Sequence, residues 1–262
     1  MGKAIAIFNQ KGGVGKTTTN INLAACLAIK GKKILVIDID PQGNTTSGLG
    51  IAKKGLKDTM YEVLIIDGYD PHNAIRHTVV NGMDIIPASV ELAGAEVEMV
   101  QIEGRDKRLK HALDSIKDDY DYIFIDCPPS LGLLTINSLT AVDSVLIPIQ
   151  CEFYALEGVS QLMSTIDLVK KSMNKKLEIQ GVILSMFDGR TNLSIQVVEE
   201  VKKYFKQKVY ATVIPRNVRL AEAPSYGLPI MEYDPKSMGA KAYMEFAEEF
   251  LANENAKKRG KK

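Results

Sequence analysis

The sequence predicts an α/β protein with a single doubly wound, mostly parallel sheet and flanking helices. Three observations carry this reading. The 262 residues, 45% hydrophobic and 25% charged, suit one large domain better than a string of small ones. Short β-rich apolar runs alternate with longer segments of helical period. A glycine-rich turn follows the first apolar run, at the strand end where open sheets of this kind bind ligands.

The elements follow in order. Lys3–Phe8 reads as a buried strand, and Lys16–Lys30 as its covering helix, with apolar residues three and four apart. The further strands are Lys33–Asp38, Met83–Pro87, Tyr122–Asp126, Ser144–Ile149, Glu178–Met186 and Val209–Ile214. The further helices are Arg105–Ile116, Leu156–Lys171 and Asn192–Phe205. Gly43 to Gly55, rich in Gly, Thr and Ser, reads as a mobile loop, and Lys53 to Asp70 is the least patterned stretch. The segment KAYMEFAEEFLANEN is expected to be helical and to lie on the sheet. Residues 1–252 thus form one domain, and 253–262 a basic tail expected to be solvated and disordered.

No apolar run approaches the ~20 residues of a membrane span, and no leader is evident, so a soluble cytoplasmic protein is expected. The three cysteines, Cys26, Cys127 and Cys151, are widely spaced in apolar stretches and read as core, neither a disulfide framework nor a zinc site. A net charge of +1 is not the footprint of a constitutive nucleic-acid binder, but between Lys170 and Arg219 eleven Lys or Arg stand against four acids, which reads as one basic face.

The turn itself is NQKGGVGKTTT. Gly12, Gly13 and Gly15 let the backbone turn tightly and aim its N–H groups at one spot, with Val14 and Thr18 completing the loop. The helix beginning near Lys16 adds its dipole. Lys16 is placed to neutralise the β- and γ-phosphates of ATP, and the Thr17 hydroxyl to ligate Mg²⁺. Two apolar runs end in aspartate. In YIFIDCPPS, Asp126 stands where an acid holding Mg²⁺ through water is needed. In ILVIDIDPQGN, Asp38 and Asp40 are two apart and share a strand face. Asp40, last before the loop, is the candidate for orienting or deprotonating the attacking water and a second neighbour of the metal. Asp38 is read as support for the loop or the metal.

The strict G-x-x-x-x-G-K-[ST] pattern is not met, because its first glycine would fall at Gln10. KGGVGKT instead resembles the deviant Walker A motif of P-loop NTPases, which implies that Lys11 reaches across a nucleotide-sandwich homodimer to the phosphates of the other subunit. Together with VIDIDPQGNTTSGLG, DYIFIDCPPSLGLLTINSL and VIPRNVRLAEAPSYGLPI, it is similar to the ParA family of partitioning ATPases, nearest the short chromosomal Soj type. The similarity runs from about Gly2 to Phe250.

The resemblance implies an ATP-bound dimer that binds double-stranded DNA without sequence preference on the nucleoid and hydrolyses ATP when a ParB-type centromere-binding partner stimulates it. It also implies that Pro215 and Asn217 frame the adenine and that Arg190 and Arg219 contact DNA. No membrane partner is expected, since the polar side of the last helical segment is acidic. The alternatives are a MinD-like membrane-associated regulator and a P-loop kinase or ligase acting on a small molecule.

Overall fold

A computed structural model describes residues 2–152 and 157–260. Eight strands form one sheet: β1 Lys3–Ile7, β2 Ile34–Asp38, β3 Arg76–His77, β4 Met83–Ile86, β5 Tyr122–Asp126, β6 Ser144–Gln150, β7 Glu178–Phe187 and β8 Val209–Pro215. Their order is β3-β4-β2-β5-β1-β6-β7-β8. Every pairing is parallel except that of the two-residue edge strand β3 with β4.

Strand β1 lies between β5 and β6, while the chain leaves it for β2 on one side. The order therefore reverses at β1, which opens a crevice beyond its carboxyl end.

The strands are apolar on both sides because both faces are covered. Ala4, Ala6 and Phe8 face one core, closed by α3 Met60–Ile65, α4 Leu92–Glu98, α5 Arg108–Ile116, α6 Leu133–Ala141, α7 Glu157–Ser172 and α8 Asn192–Phe205. Ile5 and Ile7 face the other, closed chiefly by α1 Lys16–Ile29 and α11 Met238–Gly260, whose Phe246 and Phe250 are fully buried. Three short helices complete the chain: α2 Asn44–Gly48, α9 Val218–Glu222 and α10 Ile230–Tyr233.

Every strand expected from the sequence is present, with ends shifted by a residue or less. The departures are the two-residue edge strand β3, which no expected strand covers, and several helices. The stretch read as a mobile loop contains α2, and the unpatterned stretch contains α3, started by a capping box between Thr59 and Glu62. Helix α6 buries Thr135, Asn137 and Ser138 as well as Leu134 and Leu139, so it shows no amphipathic stripe. Position 156, the expected start of α7, lies outside the described residues.

The basic tail is the clearest correction. Helix α11 continues through Gly260, and only 261–262 of the expected tail lie outside the described residues. Glu254 explains the continuation, being 5% exposed and accepting from Lys3 Nζ at 2.9 Å and Gln180 Nε2 at 2.9 Å. Lys257, Lys258 and Arg259 then favour the negative end of the helix dipole.

Candidate nucleotide-binding site

The loop after β1 is pinned from behind. Asn9 donates to Pro148 O at 2.8 Å and accepts the Lys11 N–H at 3.0 Å, and Ser185 on β7 donates to Val14 O at 2.8 Å. Gly13 and Gly15 have φ of +73° and +86°, which disfavours any side chain. A Cβ built on Gly12 or Gly13 would meet no protein atom within 4 Å, so these glycines border open space rather than a packed neighbour. Gly15 caps α1 without a side chain, so the first N–H groups of the helix point toward the same place.

Lys16 is 8% exposed, and its ammonium donates to Lys11 O at 3.2 Å. Burial pulls its pKa down, while Asp126, Cys127 and Asp40 oppose the shift. Across from it, Thr17 and Thr45 both donate to Asp126 Oδ2, at 2.7 and 2.8 Å. Asp126 Oδ1 is buried without a hydrogen-bond partner. Burial pushes the Asp126 carboxyl up to about 6, against the two hydroxyl donors.

Asp38, the register partner of Asp126 on β2, is fully buried. It accepts both the N–H and the hydroxyl of Thr46 at 2.7 Å, and burial followed by the charge of Asp126 holds its pKa above the ordinary carboxylate value. Thr46 in turn accepts from Ala88 N at 2.9 Å. Asp40 stands at the mouth, 9% exposed, with Oδ1 accepting the Gln42 N–H at 2.9 Å.

These residues fit a magnesium–nucleotide complex. A hydroxyl, a carboxylate with an unpartnered buried oxygen and a buried ammonium converge beneath a loop of outward N–H groups. Among the described residues no group of three or more His, Cys, Asp or Glu could hold a metal alone. A cation that takes one or two protein oxygens and completes its shell with water and phosphate is the one this donor set suits.

A cavity of about 330 Å³ adjoins Gly15 and Thr18 and is lined by Ile214, Pro215, Asn217 and Tyr243 among others. It is mostly apolar at its walls, as a purine ring requires. Asn217 Oδ1 is committed to capping α9 through Leu220 N at 3.3 Å, which leaves its amide nitrogen for a ligand.

The structure therefore brings together Lys11, Gly12, Gly13, Val14, Gly15, Lys16, Thr17, Thr18, Asp40 and Asp126, with Pro215 and Asn217 beside them. Arg190 and Arg219 follow β7 and β8 and so lie at the same end of the sheet, apart from the loop. Neither is a free cation. Arg190 makes a bidentate pair with Asp188 at 2.9 and 2.7 Å, and Arg219 bonds Glu222 at 2.8 Å with Asp234 at 3.5 Å. The three cysteines are buried free thiols, pushed up to about 12 by desolvation.

Thr45 and Thr46 were not singled out from the sequence. The signal was the pair of hydroxyls in GNTTS soon after two acids. Also unanticipated is a backbone contact beyond α2. A Cβ on Gly227 would stand 2.6 Å from Gly50 Cα, so the turn after α2 touches the turn after the Arg219 segment with no side chain between them.

Comparison with known proteins places this geometry. A family model described as an AAA domain matches residues 2–179. The chain is 62% identical over 253 residues to the sporulation initiation inhibitor protein Soj of Bacillus subtilis strain 168, covering 97% of this chain and all of that one. It is 52% identical over 258 residues to the chromosome partitioning protein ParA of Myxococcus xanthus, covering 98% of this chain and 90% of that one. Among solved structures, cobyrinic acid a,c-diamide synthase from Mycobacterium smegmatis with bound ATP analog and magnesium superposes with a TM-score of 0.83 at 39% identity, over 95% of this chain and 93% of that one.

Proposed function

The chain belongs to the ParA and Soj family of chromosome-partitioning ATPases, and from that premise we propose an ATP-gated switch that dimerises, holds duplex DNA and is reset by hydrolysis. The single observation that supports it most is the unpartnered, buried Asp126 Oδ1 beside Thr17 and Lys16.

Thr17 and Asp126, the latter through water, would hold Mg²⁺, which supplies charge neutralisation on the phosphates when bound. Lys16 and the N–H groups of Gly12 to Thr18 bind the phosphates, with the low dielectric around Lys16 strengthening its pull. Asp40 accepts the proton of, or orients, the water that attacks the terminal phosphorus. Its Oδ1 is held by Gln42, leaving Oδ2 for that task. Lys11, half-buried at the lip of the loop, is the residue offered to a second copy's phosphates.

Helix α2 links this chemistry to the outer surface. Thr45 rests on Asp126, Thr46 rests on Asp38, and the turn that ends α2 abuts Gly227 beside the segment bearing Arg219. A shift at the carboxylates is thereby passed to an arginine held by Glu222 and Asp234, and its release would make the DNA contact depend on ATP. The proposed cycle ends when a ParB-type partner stimulates hydrolysis.

The membrane-regulator alternative is less well supported. Phe246 and Phe250 of α11 are fully buried, so that helix has no free apolar face for a bilayer, and among the described residues no helix is long and apolar enough to cross one.

The test is binding to random-sequence duplex DNA with Mg·ATP and with Mg·ADP, for wild type and Arg190→Glu. ATP-dependent, salt-sensitive binding abolished by the substitution, with ATP binding intact, is the expected result. Indifference to DNA in both nucleotide states would remove the DNA reading and leave the ATPase.

A further inference from the structure

Asp40 is carried on a short turn. Asp40, Pro41, Gln42 and Gly43 close it through the Gly43 N–H, which donates to Asp40 O at 2.8 Å, and proline stands second, where its fixed φ suits such a turn. Inside the turn the Gln42 N–H donates to Asp40 Oδ1 at 2.9 Å. How the carboxylate is aimed therefore depends on how the Gln42 backbone is set.

Lys53 fastens this turn from outside. Half-buried, it folds back over the start of α2, and its Nζ donates to Gln42 O at 2.5 Å. Gly43 makes room for it. That residue has φ +60°, and a Cβ built there would stand 3.1 Å from Lys53 Cδ, 3.2 Å from Nζ and 3.4 Å from Cε, so the lysine stem lies along the glycine. The Leu56 N–H donates to Lys53 O at 3.4 Å and turns the chain away at that point.

A lysine that only secured α2 would be redundant. Thr45 and Thr46 already hold that helix on Asp126 and Asp38, and the turn after it rests on Gly227. Lys53 acts ahead of the helix, on the Gln42–Gly43 peptide. An ammonium bonded to a carbonyl is a charge-assisted hydrogen bond, stronger than a neutral one, and it fixes the plane of the peptide that it holds.

We propose that Lys53 is a positioning residue for hydrolysis, which locks the Gln42–Gly43 peptide and so keeps Asp40 Oδ2 aimed at the attacking water. This rests on the role of Asp40 in the proposed function. Without the lysine, the turn is free to rotate about the bonds of Gly43, which no side chain restrains. The carboxylate then spreads over orientations in which it misses the water, and turnover falls while the phosphate cradle stays intact.

The experiment measures ATP hydrolysis by the full-length protein, in single-turnover and steady-state form, and hydrogen exchange by NMR at the Gln42 and Gly43 amides without nucleotide. It compares wild type, Lys53→Met, Lys53→Arg, Asp40→Ala and the double variant Asp40→Ala, Lys53→Met. Methionine keeps the stem and removes the donor, whereas arginine keeps a donor. For Lys53→Met the expected result is a kcat lower by about 10- to 10²-fold with KM for ATP unchanged. Its thermal midpoint should stay at the wild-type value while both amides exchange faster. Lys53→Arg is expected to restore kcat, and Lys53→Met to add nothing in the Asp40→Ala background. Wild-type kcat in Lys53→Met, with Asp40→Ala inactive, overturns the proposal and leaves the functional reading standing. Normal hydrolysis by Asp40→Ala removes the role of Asp40 and the proposal with it. A raised KM with kcat intact would make Lys53 a nucleotide contact and overturns the proposal, as does unchanged exchange at the two amides.

Discussion

Where the strands finish, charge is enclosed. Asp38, Asp126 and Lys16 are buried, their hydrogen bonds run to named hydroxyls and carbonyls, and even the exposed Arg190 and Arg219 are matched by carboxylates. Where the strands begin, charge is mostly exposed: Lys3 belongs to a buried cluster with Glu254 and Gln180, whereas Lys203, Lys208 and Lys257 reach Glu200, Ile179 O and Glu254 from the surface. The difference teaches what each end can do. Buried, paired charge acts over ångströms, because desolvation makes it strong and position makes it selective. Exposed, unpaired charge acts over about a Debye length, and salt removes it.

That contrast is broken most decisively at Asp40. Asp40→Ala is expected to lower ATP hydrolysis by about 10²- to 10⁴-fold while nucleotide binding persists. Single-turnover phosphate release measured beside nucleotide affinity separates the two, and loss of binding instead would place Asp40 in the phosphate cradle.

A smaller effect is expected from Gly227→Ala. The new Cβ meets Gly50 at φ +68°, and the strained contact should cost about 1–3 kcal/mol. Because the site is not touched, ATP affinity should be retained while the DNA response to ATP is blunted; a normal response would disconnect α2 from the arginine segment. Thr46→Val removes one donor to a fully buried carboxylate and one acceptor for Ala88 N, and should lower stability by about 1–3 kcal/mol in urea denaturation.

The smallest effect belongs to the other end and appears only in acid. Burial alone would raise the pKa of Glu254, but the hydrogen bonds from Gln180 and Lys3 outweigh it and hold the carboxyl below its ordinary 4.5. Burial likewise pulls Lys3 down even with Glu254 beside it. A depressed carboxylate adds stability above its unfolded pKa and loses it as pH falls through the folded value. Glu254→Gln should therefore flatten the acid limb of the stability curve below about pH 4.5. An unchanged limb would mean that other carboxylates govern acid unfolding.

The sheet was legible in the sequence because strands buried on both faces read as unbroken apolar runs, and Tyr122–Asp126 is predicted residue for residue. The phosphate loop was legible because glycine, lysine and threonine have few other reasons to follow a strand in that order. Helix α2 was not, since five residues give too little length for a period and its hold on the fold comes from Thr45 and Thr46 reaching distant acids. Helix α11 was read too short because Glu254 counts as solvated until its partners, far away in the chain, are known. The basic run was read as one face for a similar reason. Charge counted along a chain ignores that β7 and β8 send it to opposite poles, roughly 25–30 Å apart for strands of this length.

The meeting of Gly50 and Gly227 has a mechanical consequence. Side chains yield by changing rotamer, so a contact made through them absorbs a small displacement before passing it on. Two peptide backbones in direct touch have no such slack, and a movement of a few tenths of an ångström at α2 must appear at the neighbouring turn. Alanine scanning leaves this backbone contact in place, so that part of the coupling is reached by adding a Cβ at a glycine rather than by removing a larger side chain.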